Sequence, residues 1–160
     1  MPDTTDAPIR SGMARIVVHL YRDLHAELRS ILSNVDDKGV NWVPASGANS
    51  IATVLVHLLG SEAETLRSVA GMASDRDRDA EFVAETRTVD DLLATLDDAE
   101  ALLDAVEPLL DDARLALSCA LPTLSHEDRR PGAAWLIANY GHAREHLGHV
   151  QLTMQLDTVG

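Results

Sequence analysis

The sequence predicts an all-α protein, a four-helix bundle, and three observations predict it. Four long stretches place apolar residues at steps of three and four, the period of one helical face. No stretch alternates apolar and polar residues convincingly, so no sheet is expected. Apolar residues make up 46% of the 160-residue chain and aromatics only 3%. Leu, Ala and Val must therefore fill the interior, which suits packed helices. The length fits one domain over residues 1–160, large enough to bury a core without staples.

Taken in order, residues 1–8 hold Pro2 and Pro8 and read as a frayed lead-in. The first helix is expected from Ile9 to Ser33, with Met13, Val17, Leu20, Leu24, Leu28 and Ile31 in its apolar stripe. Asp36-Asp37-Lys38-Gly39 supplies turn chemistry that stops it. Residues 40–50 then read as an ordered loop pinned by Trp42, with Asn49 or Ser50 as N-cap of the second helix. That helix runs from Ser50 to Met72 on Ile51, Val54, Leu55, Leu58, Leu59, Leu66 and Val69. Ser74 to Arg87, with its Asp75-Arg76-Asp77-Arg78-Asp79 run, reads as a solvated crossover.

Thr88 is the expected N-cap of a third helix, with Asp90 and Asp91 placed to suit the helix dipole. Leu92, Leu96, Ala99, Leu103, Val106, Leu110, Ala113 and Leu117 form its unbroken seam. Pro108 should kink it. Its acidic residues, Asp97, Glu100 and Asp104 among them, read as a solvated face. Leu121 to Arg130 is a loop, and Pro131 suits the first turn of a fourth helix that runs to Leu156.

Bulk chemistry excludes several functions. A formal charge of −13 argues against binding nucleic acid or anionic membranes. No apolar run is long enough for a membrane span and no signal peptide is apparent. The single cysteine, Cys119, cannot form an internal disulfide, which points to a reducing, cytoplasmic setting. It has no activating neighbour and reads as a buried residue of the third helix. There is no Gly-rich phosphate loop and no Glu-x-x-His pair of a di-iron bundle.

The chemistry gathers on the fourth helix. Trp135, Ala138, His142, His146 and His149 form one stripe there. Four residues of helix turn about 400° and rise about 6 Å, so His142 and His146 project together and can chelate one divalent ion. The Glu of the zinc-protease signature is missing from His-Ala-Arg-Glu-His. His142 and His149 lie about 10.5 Å apart along the axis, too far to share an ion. A third ligand must come from another helix, where His57 and His19 are both candidates. His149 is assigned to pocket lining; His25 and His126 are assigned to the surface. Neutral imidazoles suit zinc, nickel, iron or cobalt, which the sequence does not distinguish; zinc or nickel is the expected ion.

Trp42-Val43-Pro44 with Ser50-Ile51-Ala52-Thr53-Val54-Leu55-Val56-His57-Leu58-Leu59-Gly60-Ser61-Glu62 resembles the second-helix region of the DinB-like superfamily. His142-Ala143-Arg144-Glu145-His146-Leu147-Gly148-His149 resembles that family's final-helix pattern. The resemblance implies an up-down-down-up bundle with residues 74–87 as the crossover. It also implies His57, His142 and His146 as ligands of a divalent metal. Known activities in the family imply a low-molecular-weight thiol such as mycothiol or bacillithiol, an electrophilic small-molecule substrate and transferase or isomerase chemistry. Some mycothiol-dependent isomerases carry a further C-terminal domain, for which a chain ending at Gly160 leaves no room. Trp42, Trp135 and Tyr140 are then expected to line the pocket, with His149 as a proton shuttle, in a homodimer. The rival expectation is a metal-stabilised structural protein without turnover.

Overall fold

The structure is a computed structural model that describes residues 12–83 and 85–157. Its order is α1 (Gly12–Leu32), α2 (Asp37–Asn41), α3 (Ile51–Ala70), α4 (Val89–Val106), α5 (Asp112–Ala116), β1 (Ser118–Cys119), β2 (Arg130–Pro131) and α6 (Gly132–Asp157). Residues 9–11 of the expected first helix lie outside the described residues. α1, α3, α4 and α6 are the long helices predicted by the apolar period. α1 packs on α4 and α6, and α3 packs on the same two. Tyr21, Leu24, Leu28, Leu55, Leu58, Leu66, Leu96, Leu103 and Leu136 fill the space between them and are fully buried. Burying each such leucine contributes about 1.5–3 kcal/mol.

Local chemistry sets the helix starts. Ser50 accepts the Thr53 N–H at 3.2 Å and starts α3. Gly71, at φ 76°, ends it in the left-handed conformation that glycine adopts without a Cβ penalty. Thr88 and Asp91 form a reciprocal capping box at α4, through bonds of 2.9 and 3.1 Å. The acidic face of α4 is exposed, and arginines of α1 reach it: Arg29 meets Asp97 at 2.6 Å and Arg22 meets Asp104 at 2.9 Å.

Five expectations change. The Asp36–Gly39 turn becomes one helical turn, α2, because Asp36 caps the Gly39 N–H at 2.8 Å. The third helix does not kink and continue; it ends at Val106, passes through a 3-10 turn at Glu107–Leu109 and restarts as α5. Pro108 lacks the N–H that would continue the ladder, and Asp111 then caps the new helix on Arg114 N–H. A small sheet exists after all: β1 and β2 pair antiparallel, Ser118 with Pro131 and Cys119 with Arg130. Two-residue strands are too short for an alternating pattern to register. Cys119 consequently lies in a strand and is half-buried, not inside a helix. Pro131 belongs to that strand, and α6 begins at Gly132.

Candidate metal centre

His57 comes from α3 and is buried; His142 and His146 come from successive turns of α6 and are half-buried. Their rings converge. His57 Nε2 lies 3.2 Å from His142 Nε2, and His146 Nε2 lies 3.1 Å from His142 Nε2. Ligand atoms of all three fall within 4.8 Å of one another. Nitrogens bound tetrahedrally at 2.0–2.1 Å would sit about 3.3–3.4 Å apart, so the three residues fit a divalent ion. Burial holds the His57 and His142 rings below the ordinary imidazole range, with Glu81 working the other way at His57. His146 is pushed down to about 4 by burial and by its neighbours His142 and His57. All three rings are therefore neutral near pH 7, the form that offers a lone pair to a metal.

A charged network supports the cluster from behind. Glu81 Oε2 lies 2.9 Å from His57 Nδ1. Arg76 donates to Glu81 through Nε at 2.6 Å and Nη2 at 2.8 Å, and to Glu64 through Nη1 at 2.9 Å. Glu64 also accepts the Thr123 N–H at 2.8 Å and its hydroxyl at 2.7 Å. Phe82 packs against His57 with ring centres 4.7 Å apart.

Beside His57 and His142 lies an open cavity of about 280 Å³. Trp135, Ala138, Asn139 and Thr123 are in its wall. Asn139 is oriented from both ends: its Oδ1 accepts the Tyr21 hydroxyl at 2.7 Å and its amide donates to Ser61 Oγ at 3.0 Å. Trp135 is fixed by its indole N–H on the Cys119 carbonyl at 2.9 Å and by the Arg130 guanidinium 4.4 Å from its ring centre.

The family model of the DinB superfamily matches residues 20–150. The chain belongs to the DinB superfamily. Its fold is similar to the crystal structure of a DinB-like protein from Bacillus cereus ATCC 10987, with a TM-score of 0.71 and 12% identity over 89% of this chain and 91% of that one. No curated protein matches it.

In this DinB-superfamily chain the sequence-predicted residues fall as follows. His57, His142 and His146 come together. His19 stays on the surface 3.4 Å from Asp23. Trp135 lines the cavity; Trp42, Tyr140 and His149 do not. Trp42 is half-buried at the end of α2, and Tyr140 meets Tyr21 edge-on with ring centres 5.9 Å apart. His149 is exposed, its ring centre 5.6 Å from that of His146. His126 is exposed. His25, expected at the surface, is buried and meets Glu62 Oε1 at 2.8 Å inside the bundle. It follows Leu24 on the buried face of α1, where its partner comes from α3.

Arg76 and Glu81 sit in the segment read as solvated, yet their side chains are only 9% exposed. Composition hid them, because an alternating acidic and basic run reads as surface. One signal did point there: Gly60, three residues after His57 in a strongly apolar helix. A Cβ at Gly60 would collide with Glu81 Oε1. An isolated glycine inside a helix costs about 1 kcal/mol against alanine, and here it makes room for that carboxylate.

Proposed function

We propose that the protein is a divalent-metal enzyme whose ligands are His57, His142 and His146, acting with a low-molecular-weight thiol as an S-transferase or isomerase. The cavity of about 280 Å³ opening beside His57 and His142 carries this reading. A purely structural site has no use for an approach route, whereas three protein ligands with an open side are the arrangement of catalytic zinc. A bound divalent ion would lower the pKa of a thiol or water and so supply a nucleophile near neutral pH.

The chain's own residues then have definable parts. The three histidines hold the ion. Asn139 presents an amide fixed by Tyr21 and Ser61, and Trp135 gives an apolar wall against which a substrate body can rest. His149, exposed with its ring centre 5.6 Å from that of His146, would pass a proton to solvent. Cys119 is outside the cavity wall and burial raises its thiol, so the nucleophilic sulfur comes from a small molecule.

The test incubates metal-loaded protein with mycothiol, bacillithiol or glutathione and an electrophile such as monochlorobimane. Turnover that disappears in His57→Ala supports the proposal. Absence of thiol binding by calorimetry, with metal bound, rejects it in favour of a metal-stabilised structural protein. The reading includes a homodimer, supported by Ile137, Leu152 and Leu156 exposed along α6. Light scattering at the monomer mass of 17.3 kDa rejects that part.

A further inference from the structure

We infer that Glu81 is a positioning residue for the metal centre: it fixes the tautomer and aim of His57, and Arg76 and Gly60 keep it in place. The inference rests on the metal reading above. An imidazole binds a metal through Nε2 only when its proton is on Nδ1. The Nδ1 of His57 faces Glu81 Oε2 at 2.9 Å. An ionised carboxylate only accepts, so this contact puts the proton on Nδ1 and leaves the Nε2 lone pair pointing at His142. Arg76 Nη2 also lies 3.3 Å from Nδ1, but its bond to Glu81 is shorter at 2.8 Å, and two donors facing each other make a contact and no bond.

Glu81 is itself held from two sides. Arg76 grips both of its oxygens, at 2.6 and 2.8 Å, and uses its remaining nitrogen on Glu64. Glu64 is in turn fixed by two donors of Thr123. The carboxylate is thus tied to α3 and to the loop before α6, the elements that bring the ligands together. Glu81 also lies against Gly60, where any Cβ would collide with Oε1. Glycine in a helix interior costs stability relative to alanine, and the space it leaves here is filled by this carboxylate. Among the described residues His146 has no such support: its Nδ1 is buried without a hydrogen-bond partner. Among the described residues Glu81 makes this contact with His57, the one ligand from α3.

Outer carboxylates of this kind typically contribute about 10–100-fold to metal affinity. The experiment titrates Co(II) into the full chain and follows visible absorption. The variants are Glu81→Ala, Glu81→Gln, Gly60→Ala and, as an exposed control in the same segment, Asp79→Ala. In parallel, long-range proton–nitrogen NMR of the metal-free protein reads the His57 tautomer. Glu81→Ala is expected to lose about 10–100-fold in Co(II) affinity and to change the absorption band. Glu81→Gln, which keeps an acceptor oxygen, should lose less. Gly60→Ala should resemble Glu81→Ala, and Asp79→Ala should resemble wild type. Wild-type His57 should carry its proton on Nδ1 and become a tautomer mixture in Glu81→Ala.

Wild-type affinity and band in folded Glu81→Ala would overturn the inference, as would a wild-type His57 protonated on Nε2. Should Glu81→Ala fail to fold, Glu81→Gln and the wild-type tautomer decide. Should wild type take up no Co(II), the metal reading fails, and the positioning of His57 is decided by the tautomer alone.

Discussion

His57 Nε2 and His142 Nε2 meet at 3.2 Å across the α3–α6 interface, from positions 85 residues apart. With His146 Nε2 3.1 Å from His142 Nε2, three ring nitrogens compete for the same small space. Neutral imidazoles each have one donor and one acceptor, so protons alone satisfy this cluster poorly. A single cation would satisfy all three lone pairs at once.

The first prediction is a pH dependence of the metal-free protein. His146 titrates at about 4 when folded, against about 6.5 when unfolded, and His57 and His142 are shifted the same way. In that window the unfolded chain binds more protons. Stability is therefore complete above about pH 6.5 and falls as the pH drops toward 4. Urea midpoints from pH 7.5 to 4 should decline more steeply for wild type than for His146→Gln. Parallel curves would contradict the assignment.

Metal content gives the second. Wild type should hold one equivalent of divalent ion per chain, and His146→Ala at least tenfold less at the same free metal. Chelation should lower the melting point, since a ligand at 100 times its Kd adds about 2.7 kcal/mol of stability. Elemental analysis showing equal metal in both proteins would refute the ligand set.

The third concerns His25 and Glu62, buried at 1% and 0% exposure and paired at 2.8 Å. Burial raises the Glu62 carboxyl despite the His25 contact. Glu62→Ala leaves the His25 ring without its hydrogen-bond partner in the core and should cost about 1–3 kcal/mol. The double variant His25→Leu/Glu62→Ala should lose clearly less than the sum of the two single ones. Additive losses in a urea double-mutant cycle would show that the pair is not coupled.

The fourth concerns the packing that sets α6 against α3. A Cβ at Gly132 would lie 2.7 Å from Val69 Cγ1 and 3.2 Å from the Arg114 carbonyl oxygen. Gly132→Ala should destabilise by about 1–3 kcal/mol, as overpacking does, and each kcal/mol should lower the melting point by about 2–4 °C. Val69→Ala added to it should recover part of the loss. A melting point equal to that of wild type would disprove the close contact.

The long helices, the caps at Ser50 and Thr88 and the pairing of His142 with His146 were all legible in the sequence. Each rests on residues three or four apart, where helix geometry brings them together whatever the rest of the chain does. The third histidine was not legible by period. His19 and His57 both lie on amphipathic helices, and only packing turns His57 toward α6 and leaves His19 beside Asp23. Arg76 and Glu81 were hidden for the same reason, since a charged run looks solvated until a helix with Gly60 makes room for it. His25 looked like a surface residue because its partner, Glu62, is 37 positions away. Periodicity and capping are near-neighbour interactions that a sequence displays directly. Which buried charges meet depends on how helices cross, and that was decided only when the core closed.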